Sequence, residues 1–243
     1  MLSQTYETVF ERTLEDVAMA ATQLEVPLAP FWPLQGSAYD GGLLVIGRSV
    51  NGWIESWTAQ QLRDPSIRRA AVERMRLDAE PADHCRMAWV TDLAGPNDIY
   101  NTNRSAFWRV LRRIVLSGTS AEQNPARWSS TLAWTNLYKV SPGSGWNPGG
   151  DLQRAQRPSA MELLRMEIEQ LAPRRVLAMT GSWIGPFTDA LGLKLEYRSG
   201  LVEGIGMRGE CALVVAKHPM VKPEGPFVSE VLAAFTELGA PFR

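Results

Sequence analysis

Apolar residues recur at helical spacing near the start of the chain, where Tyr6, Val9, Phe10, Leu14, Val17, Ala21 and Leu24 form one stripe. The spacing predicts a helix from about Thr5 to Leu24. A proline-rich connector follows, Val26 to Pro33, and its missing N–H donors exclude it from the centre of a sheet. Gly41-Gly42 then opens a continuous apolar run, Leu43 to Ile46, closed by Gly47; this is the pattern of a buried parallel strand. Residues 53–82 are mostly polar and carry Arg63, Arg68, Arg69, Arg74 and Arg76, which predicts one or two surface helices. Arg86 to Leu93 reads as a strand. Asn103 to Leu116 reads as a helix that turns Phe107, Val110, Leu111 and Ile114 inward and leaves Arg109, Arg112 and Arg113 largely off that stripe.

Thr131 to Leu137 is the next predicted strand, and a glycine-rich loop runs from Pro142 to Gly150. Ser159 with Glu162 has the spacing of a capping box and predicts a helix start, with Met161, Leu164, Ile168 and Leu171 facing in. Arg175 to Thr180 is a predicted strand, and Ser182 to Leu191 a helix ended by Gly192. Cys211 to Ala216 is an uninterrupted apolar strand, and a helix from about Pro226 to Leu238 closes the chain. Strands alternating with helices predict a three-layer α/β architecture around a largely parallel sheet. The expected organisation is a single domain over 1–243, with the helix and connector of 1–40 packed onto it.

Composition narrows the function classes. With 243 residues, 45% of them hydrophobic, the chain can bury a full core. A net charge of −1 supplies no global field for nucleic acid, so any contact with DNA must come from a local patch. Cys85 and Cys211 have no metal-ligand spacing and fit a reduced, cytoplasmic protein. No apolar run approaches about 18 residues, and the N-terminus lacks a secretory pattern. No membrane partner, cofactor or metal cluster is expected, and the chain is expected to act as a monomer. Tryptophan is abundant, with packing as its ordinary use.

Four apolar runs end in unusual residues: Gly47-Arg48-Ser49-Val50-Asn51-Gly52, Thr135-Asn136-Leu137-Tyr138-Lys139, Thr180-Gly181-Ser182 and Lys217-His218-Pro219. In open α/β sheets, ligands bind beyond the strand C-termini. Parallel strands would therefore bring Gly, Asn, Ser and His to one edge. Several chemistries are excluded by motif. No Gly-x-Gly-x-x-Gly, no P-loop Gly-Lys-Ser/Thr and no Gly-x-Ser-x-Gly elbow is present. The edge also offers too few His, Cys or paired carboxylates for a metal.

The ordered set resembles the uracil-DNA glycosylase superfamily. The resemblance rests on the Gly47–Gly52 turn, on Asn136 within Trp134-Thr135-Asn136-Leu137-Tyr138-Lys139, on His218-Pro219, and on Asn103-Arg104-Ser105-Ala106-Phe107-Trp108, which is similar to the family's Asn-Arg-Phe-Trp helix start. It implies a base-flipping enzyme that cuts an N-glycosidic bond. In that scheme Asn136 reads the base edge, because an amide both donates and accepts. His218 donates a hydrogen bond to the departing base, which a neutral imidazole can do. Asn51, or Ser49, positions the water. Gly47 and Gly52 frame the base, and Tyr100 is a candidate stacking platform. Lys139, Lys217 and Arg104 are candidates for DNA phosphates, and Met220, with Val221, for a wedge into the gap left by the flipped base.

The first turn is one residue longer than the family's Gly-x-Asn/Asp-Pro-Gly pattern and lacks its proline, and Met220 stands where a small serine is usual. Structural roles stay open beside the chemical ones: a turn for Asn51-Gly52, a turn cap for Asn136, packing for Tyr100, a solvated face for the helix arginines. The alternative is a protein of the same fold that binds a nucleobase, nucleotide or nucleic acid without cutting it. An unrelated α/β hydrolase of small nucleosides is a third option.

Overall fold

The computed structural model describes residues 2–21, 27–50, 55–79, 85–91, 101–117, 125–189 and 191–242. The elements, in chain order, are α1 (Gln4–Ala20), β1 (Leu28–Pro30), β2 (Leu34–Gln35), β3 (Leu43–Gly47), α2 (Ala59–Leu62), α3 (Pro65–Ala79), α4 (Ala88–Thr91), α5 (Ala106–Ser117), β4 (Leu132–Asn136), β5 (Val140–Pro142), α6 (Gly150–Leu171), β6 (Arg175–Ala178), α7 (Gly185–Thr188), β7 (Glu196–Tyr197), β8 (Val202–Arg208), β9 (Cys211–Ala216) and α8 (Glu224–Glu237). Short 3-10 turns at Thr102–Arg104, Pro125–Thr131 and Gly181–Ile184 complete them. The chain is thus mixed α/β. It divides into two compact units: Met1–Pro33, Gly47–Glu80 and Thr135–Leu171 form the first, and Leu34–Ile46, Pro81–Trp134 and Ala172–Arg243 the second.

Among its described residues the first unit holds α1, α2, α3 and α6, the antiparallel β1–β5 pair, and the ends of β3 and β4 at Gly47 and Thr135–Asn136. The stripe predicted on α1 is its core: Tyr6, Val9, Phe10, Leu14 and Val17 are all buried, against Leu163 and Met166 of α6 and Val72 and Met75 of α3. Ser3 caps α1 by accepting from the Tyr6 N–H, which satisfies one of the helix's orphan donors. Trp32 of the proline-rich connector packs edge-on against Tyr6, with ring centroids 4.8 Å apart. Arg68, read from sequence as a surface residue, is buried instead. Its guanidinium bonds the carbonyls of Leu62 and Arg63 at 2.9 and 2.8 Å and reaches Glu15.

The second unit holds most of a seven-stranded sheet ordered β2-β4-β3-β6-β9-β8-β7. Its centre is parallel: β3 pairs with β6, and β6 with β9. Ile46, Ala178 and Ala216 therefore sit towards the same end of three adjacent strands. The expectation of a largely parallel sheet holds for these two pairs, whereas β2–β4, β8–β9 and β7–β8 are antiparallel. The cause is local. Gly209, at φ 58°, makes a two-residue turn between β8 and β9, and such a tight turn can join only antiparallel neighbours.

Two further expectations are corrected. The run expected as a strand from Arg86 is helical over Ala88–Thr91. Its buried residues, Met87 and Val90, are three apart, which suits a helical face, and Trp89 packs at 5.5 Å on Trp108 and 6.0 Å on Trp134. Ser159 does not start a helix. It is buried inside α6, nine residues past its first residue Gly150, and its hydroxyl donates to the Gln156 carbonyl at 3.2 Å. Pro158, beside it, lies inside the helix.

Candidate functional site

The first unit carries Gly47, Ser49, Asn136 and Lys139. Asn136 ends β4 and is 1% exposed. The backbone beyond it is held at every step. Leu137 N–H donates to the Gly47 carbonyl at 2.9 Å and Tyr138 N–H to that of Arg48 at 3.0 Å. The N–H groups of Lys139 and Val140 both donate to the Gln156 side-chain oxygen at 2.9 Å, and the Gln156 amide returns a bond to the Val140 carbonyl. This frame joins the end of β4 to the Gly47 turn and to α6.

Lys139 is not a phosphate contact. It is fully buried, with Nζ 2.7 and 2.9 Å from the two Glu167 carboxylate oxygens, 2.8 Å from the Thr135 hydroxyl and 2.6 Å from the Asn136 carbonyl. The Tyr6 hydroxyl donates to the same carboxylate at 2.5 Å. Burial lowers the pKa of the Lys139 ammonium, and Glu167 pulls it back towards the charged form. Burial, and then the Glu167 charge, push the Tyr6 phenol well above its ordinary value, so it remains a donor. The lysine expected to meet DNA is thus an internal strut under Asn136.

One atom stands out in this frame. The Asn136 side-chain Nδ2 is buried and has no hydrogen-bond partner among the described residues. A buried donor left unpaired costs about 1–3 kcal/mol, which is tolerable where a ligand completes it. Ser49, partly exposed, donates its hydroxyl to the Asn147 Oδ1 at 2.8 Å and ties the glycine-rich loop to the Gly47 turn. Asn51, Gly52 and Tyr100, named from the sequence as water-positioning, framing and stacking residues, lie outside the described residues.

No protein-family model and no curated protein matches the chain.

The second unit carries Lys217, His218, Met220 and Arg104. Pro219 is buried, while Lys217 and His218 beside it are partly exposed. The His218 Nδ1 accepts the Met220 N–H at 3.3 Å. An accepting Nδ1 leaves the proton of a neutral imidazole on Nε2, so the distal nitrogen is the donor. The Lys222 N–H closes a turn onto the Pro219 carbonyl at 3.0 Å, and Val221 within it has φ 55°. A β-branched residue in the left-handed region is strained, and strain of this kind collects at functional turns. The turn holds Met220 and Val221 in solvent, 62% and 91% exposed. Val221→Gly is expected to raise unfolding stability by about 0.5–1 kcal/mol, the relieved strain less the extra freedom of an unfolded glycine. Urea denaturation measures it, and a less stable variant would show that the turn is not strained.

Arg104 is exposed on the Thr102–Arg104 turn, whereas Arg109 and Arg113 of α5 are engaged with Glu224 at 2.7 and 3.6 Å. Of the basic candidates, Lys217 and Arg104 thus keep a place near solvent. Among the described residues no group of His, Cys, Asp or Glu could hold a metal, and no helix is long and apolar enough to cross a membrane. The residue that sequence reasoning missed is Trp146, in the glycine-rich loop and 76% exposed.

Proposed function

We propose that this protein has a three-layer α/β fold like that of the uracil-DNA glycosylases and cuts the N-glycosidic bond of uracil or a related deaminated base in DNA. The observation that carries this reading is the unpaired, buried amide of Asn136. A flat base with a carbonyl on its pairing edge would accept from Nδ2 and remove the penalty of leaving that donor dry. His218 supplies a Nε2–H suited to the oxygen of a leaving base. As the bond from C1′ to the base breaks, the sugar becomes an oxocarbenium ion and the base an anion. Water then adds to C1′, and the proton it loses passes through solvent to the base anion, so that the products are a neutral base and an abasic sugar. A donor aimed at the developing anion lowers this barrier most. Met220 and Val221 would fill the gap in the base stack, with Lys217 and Arg104 on phosphates. The protein would work as a cytoplasmic monomer.

The second reading, a binder of bases that does not cut, has one observation in its favour. The Ser49 hydroxyl proton is already given to Asn147, and the turn that holds Ser49 is longer than the family pattern.

Asn136→Leu tests the carrying observation. The variant should be at least as stable as the parent, because it removes an unpaired polar group and adds buried carbon. It should also lose the thermal upshift that free uracil, hypoxanthine or xanthine gives the parent. A variant that unfolds more readily would mean that the amide is already satisfied. A variant that keeps the upshift would remove Asn136 from base recognition.

A further inference from the structure

We propose that Trp146 is a stacking platform for an unpaired base of single-stranded DNA, set in the same hydrogen-bonded frame as Asn136. The inference rests on the nucleobase reading of Asn136 and adds the form of the substrate to it. Among the described tryptophans Trp146 alone is exposed, at 76%; Trp32, Trp108, Trp128 and Trp134 are all buried. No ring contact or hydrogen bond holds its indole among the described residues.

The loop beneath it is nonetheless pinned on both sides. The Gly143 N–H donates to the Pro27 carbonyl at 2.6 Å, and the Gly145 N–H to the Pro142 carbonyl at 3.1 Å. Beyond the ring, Asn147 accepts from Ser49 at 2.8 Å and the Pro148 carbonyl accepts from Gln153 at 2.8 Å. Gly145, at φ 90°, takes a backbone conformation that only glycine adopts easily, and it turns the chain just before Trp146. A large aromatic face on a fixed backbone binds with little ordering cost.

Through Ser49 the loop is joined to the turn whose carbonyls accept from Leu137 and Tyr138, the two residues after Asn136. The net charge of −1 gives no general attraction for phosphates, so stacking has to supply affinity for a single strand. A duplex keeps its bases stacked on one another and offers the indole no free face.

The test uses the full chain, a labelled single-stranded oligo-dT, its duplex with oligo-dA, and a matching oligo-rU, with binding followed by fluorescence anisotropy at fixed salt. Trp146→Ala should weaken oligo-dT binding by about 5- to 150-fold, the range for losing one base–aromatic stack. Trp146→Phe should stay within a few-fold of the parent. Duplex binding and the thermal midpoint should not change. Parent-like binding of oligo-dT by Trp146→Ala overturns the proposal, as does an equal loss on the duplex, a parent that fails to bind oligo-dT, or tighter binding of oligo-rU. Uracil excision by the same proteins separates the two readings. An active parent with Trp146-independent binding overturns the platform alone. An inactive parent with Trp146-dependent binding overturns hydrolysis alone.

Discussion

Lys139→Met is expected to lower unfolding stability by about 3–5 kcal/mol, the cost of breaking a buried ion pair by removing one partner. The variant leaves the Glu167 carboxylate in a dry site with the Tyr6 hydroxyl as its remaining donor. It also removes the donors to Thr135 and to the Asn136 carbonyl. The Lys139→Met, Glu167→Gln double variant should recover much of the loss, since no unpaired charge remains and the glutamine can still accept from Tyr6. Urea denaturation of the parent, Lys139→Met, Glu167→Gln and the double variant gives the coupling directly. A single variant within about 1 kcal/mol of the parent would mean that the pair is not buried as described. The loss has a functional side as well, because the ammonium holds the carbonyl of the very residue assigned to read the base.

His218→Ala is expected to slow base excision by about 10²- to 10³-fold, or about 2.7–4 kcal/mol of barrier, the range for losing one donor to a developing anion. The imidazole is partly exposed and accepts the Met220 N–H within its own turn, so the thermal midpoint of the variant should be measured beside its rate. Substrate affinity should fall far less than the rate, because the donor matters most when the base carries charge. An equal fall in both would make His218 a binding residue, and an unchanged rate would remove it from the mechanism.

The parts of the fold that were legible are those in which one signal dominates. Leu43–Gly47 and Cys211–Ala216 are unbroken apolar runs with turn residues at their ends, and both pair in parallel with β6. The α1 stripe is equally plain. β8 was hidden because Gly204 and Gly206 interrupt its pattern. At Gly206 a Cβ would stand 2.8 Å from the Lys194 carbonyl, so the glycine that hides the strand is needed by the chain beside it. The Ser159 signal misled because a serine three residues before a glutamate has the spacing of a capping box wherever it falls, and Ser159 lies inside α6.

The site was legible in part. The place of Asn136 at the end of β4 follows from the apolar run before it. The unpaired state of its amide depends on groups distant in sequence and could not be read. Lys139 was assigned to the surface because lysines are almost never buried; its partner Glu167 is 28 residues away on another element. Trp146 did leave a signal. It stands among glycine, proline and asparagine, with no apolar neighbour at helical or strand spacing to bury it with.

Release of a deaminated base from DNA is the reaction proposed for this chain. The direct measurement is incubation of the purified protein with single- and double-stranded oligonucleotides carrying one uracil, hypoxanthine or xanthine, followed by alkaline cleavage at abasic sites. An abasic product is expected from at least one of these substrates, lost in Asn136→Leu and strongly slowed in His218→Ala. No product from any of them, under conditions where a control glycosylase cuts all three, would contradict it.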